Sequence, residues 1–123
     1  MYTISIEARF SAAHQLVGYK GHCGRMHGHT WKIRVEVKTY QIDEIGISID
    51  FKELRSLTES VLASLDHQTI NEIPPFDKMN PTAENLSRHI YKEIEKDLKP
   101  PIRMVSVTVW ESENHAVTYT EDA

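Results

Sequence analysis

From His27 to about Tyr40 the chain alternates with a period of two. His27, His29, Trp31, Ile33, Val35 and Val37 share one parity, and Thr30, Lys32, Arg34, Glu36 and Lys38 the other. Successive side chains of an extended chain point to opposite faces, so this pattern predicts a long, half-buried strand with two imidazoles at the head of its apolar face. An earlier stretch repeats the pattern. Tyr2, Ile4, Ile6, Ala8, Phe10 and Ala12 alternate with Thr3, Ser5, Glu7, Arg9 and Ser11, and continuing the parity places His14 on the apolar side. Between the two strands, residues 15 to 26 contain Gly18, Gly21 and Gly24 and no period, which predicts a loop.

After a turn around Asp43 to Gly46, Ile47 and Ile49 suggest a short extended piece. Asp50 then caps a helix, with Glu53 three residues on. Phe51, Leu54, Leu57, Val61 and Leu65 give that helix an apolar stripe, ending near Asp66-His67. A second helix, capped by Asn80 or Thr82, carries Ala83, Leu86, Ile90, Ile94 and Leu98 on one side and stops at Pro100-Pro101. Val105, Val107 and Val109, then Val117 and Tyr119, predict two closing strands around a turn through Ser112 to Asn114. The expected order is ββααββ. It implies an α+β fold, residues 1–123 forming one domain, with an antiparallel four-stranded sheet and two helices on one face. Long strands with open edges further suggest closure by oligomerisation.

Composition excludes several classes. With 14 Lys+Arg against 18 Asp+Glu and no basic stripe, nucleic acid is not the expected partner. A single cysteine excludes an intramolecular disulfide framework. No apolar run approaches the ~18 residues of a membrane span, and the strand-like start is unlike a secretory leader, so a cytoplasmic protein is expected.

His14, His27 and His29 offer three imidazoles from neighbouring apolar faces, the nitrogen donor set of a zinc site with an open position. The plainer alternative is core histidines with satisfied hydrogen bonds. Cys23 is open to three readings: a buried small hydrophobe, a fourth zinc ligand, or a thiol whose pKa is lowered by the metal or by Arg25. Asp66-His67 is either a polar helix end or part of a relay completed by a third group. Glu111 prolongs the parity of Val105, Val107 and Val109, where a carboxylate is costly without a donor from protein or ligand; the alternative is a frayed strand end in solvent. Lys20, His22 and Arg25 offer a local cluster for phosphates. Nothing near His89 and His115 suggests a shared site.

Taken in order, Phe10-Ser11-Ala12-Ala13-His14, Cys23, His27-Gly28-His29, Leu65-Asp66-His67, Asn80-Pro81-Thr82-Ala83-Glu84-Asn85 and Glu111 resemble the 6-pyruvoyl-tetrahydropterin synthase family, and within it the bacterial carboxy-forming branch. The resemblance spans nearly the whole chain. It implies a tunnelling fold, in which strand pairs of several subunits close a barrel, as a trimer or a dimer of trimers, with active sites between subunits. It also implies Zn2+ on His14, His27 and His29, Cys23 as the proton-abstracting thiolate, and Asp66 and His67 as a relay across an interface. Glu111 would anchor the amino-pyrimidine edge of a pterin, with groups near Thr82 and Ala83 assisting.

The substrate implied is 7,8-dihydroneopterin triphosphate. The carboxy branch cleaves its side chain to 6-carboxytetrahydropterin, releasing acetaldehyde and triphosphate on the route to queuosine. The pyruvoyl branch eliminates triphosphate without that cleavage. Three residues between Cys23 and His27 resemble the carboxy branch, and Cys in this loop, in place of Glu, is unlike the relatives that make a hydroxymethyl-pterin. Ile70 stands where the family commonly has Leu. A non-catalytic zinc- or pterin-binding module is the alternative from another class.

Overall fold

Two 13-residue strands, β1 (Tyr2–His14) and β2 (His27–Thr39), pair antiparallel over their full length, from Tyr2 opposite Thr39 to His14 opposite His27. The computed structural model describes residues 1–18 and 24–121. The expectations on Lys20, His22 and Cys23 lie outside these residues. The remaining elements are α1 (Phe51–Leu62), β3 (Gln68–Thr69), a 3-10 turn (Ile70–Glu72), α2 (Ala83–Asp97), β4 (Arg103–Ser112) and β5 (His115–Tyr119). The sheet order is β3-β1-β2-β4-β5.

The α+β class, the long antiparallel strands and the two helices appear where the periodicities put them. The sheet differs in one respect: it has five strands and is mixed. The two residues of β3 run parallel to β1, with Gln68 opposite Ala12 and Thr69 opposite Ala13. So short a strand has no period to read.

Parity decides the core. Ile6, Ala8, Phe10 and Ala12 of β1 and Trp31, Ile33, Val35 and Val37 of β2 are buried on one face. α1 packs on β1 and α2, and α2 packs on β4 and β5. The helices bury Leu54, Thr58 and Leu62, and Ala83, Leu86, Ser87, Ile90, Tyr91 and Ile94. Each fully buried aliphatic side chain contributes about 1.5–3 kcal/mol, so Ile90→Ala, at the centre of α2, is expected to cost about 2–5 kcal/mol. Asp50 caps α1 by accepting from Lys52 N–H at 2.8 Å, and Thr82 caps α2 by accepting from Asn85 N–H at 3.1 Å.

Five side chains depart from the sequence pattern. Phe51 and Tyr2 are exposed; α1 turns its Leu54–Thr58–Leu62 stripe inward, which leaves Phe51 outside. Val105 yields its inward place to Met104. The register shifts between Glu36 and Val37, which face Ser106 and Met104, so Val105 is the extra residue of a bulge. Ile47 and Ile49 form no strand. The helix also stops early: α1 ends at Leu62, and a turn carries the chain through Leu65 to His67.

The opposite face of the sheet is charged. The Glu7 carboxylate accepts from Arg34 at 2.9 Å and lies 3.4 Å from Lys32 Nζ, which stands 4.6 Å over the Trp110 ring. Among the described residues no helix is long and apolar enough to cross a membrane.

Candidate functional site

The β1–β2 register places His14 directly across from His27 and Ala12 across from His29. All three histidines share the apolar parity, so their rings converge at the end of the sheet. His14 Nε2 lies 3.1 Å from His27 Nε2 and 3.4 Å from His29 Nε2. β4 brings in Glu111, one residue past the pairing of Lys32 with Trp110, and its Oε1 is 3.3 Å from His14 Nε2 and 4.0 Å from His29 Nε2. One donor atom from each of these four residues lies within 4.8 Å of the others. Trp31 supports the group: its ring centroid is 4.8 Å from His14 and 4.1 Å from His29, and its other side stacks on Phe10.

The tautomers follow from the partners. His14 Nδ1 is 2.8 Å from the Pro81 carbonyl, and His27 Nδ1 is 2.7 Å from the Arg25 carbonyl. A carbonyl only accepts, so both Nδ1 atoms carry the proton. In the neutral rings both Nε2 atoms therefore present lone pairs, 3.1 Å apart. Burial pushes the His14 pKa below the ordinary histidine value, and the neighbouring His27 charge adds to this against the pull of Glu111. Burial, then the His14 charge, lowers His29 likewise. Neutral imidazoles with facing lone pairs repel one another and attract a cation. Orientation of the ligating ring by a hydrogen bond from its other nitrogen is the usual outer-shell arrangement of a metal histidine. The four residues therefore fit a divalent metal with nitrogen-rich coordination. His29 Nδ1 and Trp31 Nε1 are buried without a hydrogen-bond partner among the described residues.

Asp66 and His67 form a second group. His67 takes φ 59°, which folds its ring back so that Nδ1 is 2.9 Å from Asp66 Oδ2. The adjacent side chains, expected to diverge at a helix end, instead pair directly. Asp66 Oδ1 accepts from Ser11 N–H at 2.9 Å and His67 N–H donates to Ser11 O at 2.6 Å, docking the pair on β1. The Ser11 bond holds the Asp66 carboxyl below the usual carboxylate range; burial opposes it, and the hydrogen bond and charge of His67 add to the lowering. His67 opens on a concavity that includes Ser11, Ala13, Gly28 and Thr30 and, from the metal-type cluster, His29. Among the described residues no hydrogen bond or ion pair joins the two groups.

Thr82 and Ala83 open α2 directly after Pro81, whose carbonyl orients His14. Sequence reasoning named neither that carbonyl nor Arg25's. A backbone acceptor leaves no residue-type signal. Trp31 was legible only as a core residue.

The family model of 6-pyruvoyl tetrahydropterin synthase matches residues 3–122. A protein of Archaeoglobus fulgidus, provisionally named as a 6-carboxy-5,6,7,8-tetrahydropterin synthase, is 38% identical over 85% of this chain and 84% of its own. The 6-pyruvoyl tetrahydrobiopterin synthase of Dictyostelium discoideum is 31% identical over 89% of each chain. In structure, 6-pyruvoyl tetrahydropterin synthase of Caenorhabditis elegans superposes with a TM-score of 0.86 at 24% identity, covering 98% of this chain and 96% of that one. The histidine cluster thus sits in a tunnelling fold, and the chain belongs to the 6-pyruvoyl tetrahydropterin synthase family.

Proposed function

We propose that the protein is a zinc-dependent 6-carboxytetrahydropterin synthase, converting 7,8-dihydroneopterin triphosphate to 6-carboxytetrahydropterin with release of acetaldehyde and triphosphate, a step toward queuosine. The observation that carries the reading is the convergence of three histidine Nε2 atoms with the Glu111 carboxylate at one sheet end. The 38% identical relative bears the carboxy-forming name, and the short gap from Cys23 to His27 resembles that branch.

His14, His27 and His29 would hold the zinc, which as a Lewis acid acidifies the side-chain hydroxyls of the substrate. The chain's own residues do the rest. Cys23 takes a proton as thiolate. Asp66 fixes the His67 Nδ1–H, leaving Nε2 to accept or deliver a proton. As the family resemblance implies, the pair would serve a cluster on another subunit of a homo-oligomer, across an interface of the tunnelling fold. Glu111 offers two acceptor oxygens to an amino-pyrimidine edge, which fits bidentate pairing, with groups near Thr82 and Ala83 assisting. Lys20, His22 and Arg25 meet the triphosphate.

The 31% identical Dictyostelium relative supports a second reading, the pyruvoyl-forming reaction on the same residues. Anaerobic incubation of zinc-loaded protein with dihydroneopterin triphosphate separates them. Acetaldehyde with a carboxylated pterin is the expected result. A pyruvoyl-pterin without acetaldehyde moves the chain to the sister reaction, and bound zinc without turnover leaves a binding module.

A further inference from the structure

β1 ends at His14, but the order of the chain does not end there. The backbone of Gln15 is gripped at two points by one side chain: its N–H donates to Asn71 Oδ1 at 2.8 Å, and its C=O accepts from Asn71 Nδ2 at 2.9 Å. Two residues on, Val17 is held identically by Asn80, N–H to Oδ1 at 2.8 Å and Nδ2 to C=O at 2.8 Å. Residues i and i+2 of an extended segment present their backbone groups on the same side. Two asparagine side chains thus satisfy four backbone groups, just past the end of β1, that no strand pairs.

The far end of the connection is tied to the near end. Gln15 Nε2 donates to the Gly24 carbonyl at 2.9 Å, and Gly24 precedes Arg25, whose carbonyl orients His27. Asn80 is itself fixed, since its carbonyl accepts from Asn85 Nδ2 at 2.9 Å, and it precedes Pro81, whose carbonyl orients His14. The amides that hold the connection and the carbonyls that aim two histidines therefore belong to one continuous network.

We infer that Asn71, Asn80 and Gln15 are positioning residues: they fix both ends of the β1–β2 connection, on which the proposed base Cys23 lies, relative to the histidine cluster. This rests on the functional reading above. The chemistry demands a primary amide. Each position needs a donor and an acceptor on one planar group, and a carboxylate has no donor at neutral pH and repels the carbonyl it would face. Misplacing a reacting group by about 1 Å costs on the order of a hundredfold in rate.

Asn71→Asp and Asn80→Asp change little in size and remove one bond each, and Gln15→Met is a second kind of variant that cuts only the tie to Gly24. The chain has one cysteine, so alkylation by iodoacetamide reports on Cys23 alone. In the zinc-loaded variants kcat is expected to fall roughly ten- to a hundredfold with KM within about twofold, zinc stoichiometry unchanged, and the pH profile of alkylation displaced. Unchanged kcat and an unchanged alkylation profile in all three overturn the inference, as does loss of zinc in step with turnover. If the wild type turns over no pterin, the functional reading fails, while the alkylation profiles still decide whether these amides govern the connection.

Discussion

The histidine cluster and the Asp66–His67 pair are both anchored to the end of β1, yet they are built in opposite ways. His14 is fully buried, two rings of its cluster are aimed by backbone carbonyls, and the lone pairs face one another. His67 is 81% exposed and, among the described residues, is held by its neighbour Asp66 and by the main chain of Ser11. The first group is complete in its donors within one chain. The second presents an exposed imidazole to whatever lies outside it. The difference suggests a division of labour in which each chain prepares a metal site for itself and an acid–base group for a neighbour.

The largest effect separates the two groups by metal affinity. His29→Ala removes a donor and should weaken zinc binding, read by competition with a chelating dye, by more than the ~10–100-fold that loss of an outer-shell partner costs. His67→Asn, which tolerates the left-handed backbone at φ 59°, should leave affinity unchanged. A shared loss would erase the distinction.

Turnover should sort them differently. His67→Asn is expected to lower kcat by roughly 10²–10⁴, the usual range for a general acid–base group, with KM and zinc content preserved. Unaltered kcat would return Asp66–His67 to a polar helix end.

Glu111 stands between the two roles, since its carboxylate is among the cluster's donors and is also free to accept from a substrate. Glu111→Gln should raise KM at least about tenfold, as loss of charge-assisted hydrogen bonds worth about 1.5–3 kcal/mol implies, with zinc affinity changed less than about threefold. A large loss of affinity with unchanged KM would make Glu111 a metal ligand.

The smallest effect is on stability. His14 and His29 have folded-state pKa values below the ordinary 6.5, so around and below that pH the unfolded chain binds more protons than the folded one. Stability of the metal-free protein therefore rises with pH through this window and is lost as pH falls. Its melting temperature should drop between about pH 7.5 and 5.5, whereas a flat profile would deny the burial of these rings. Asp66, depressed from 3.8, acts only at more acidic pH.

Much of the cluster was legible in the sequence because strand parity is strict. His14, His27 and His29 share the side of Phe10 and Trp31, so periodicity put the three imidazoles together, while Glu111 was legible only as lying on the face of Val109 and joins them through the β2–β4 register. What stayed hidden depends on single backbone events. A bulge exchanged Val105 for Met104, and φ 59° at His67 paired it with Asp66. β3 was too short to show a period, and the carbonyls of Pro81 and Arg25 have no letter of their own.

The division of labour is tested most directly by mixing two inactive proteins. His29→Ala and His67→Asn chains, co-assembled from equal amounts, each carry one intact group. If the cluster of one chain works with the pair of another, about a quarter of the sites in random hetero-oligomers regain both, and activity returns toward that fraction. If the pair serves its own chain, every site lacks one group, and the mixture stays as inactive as its parts.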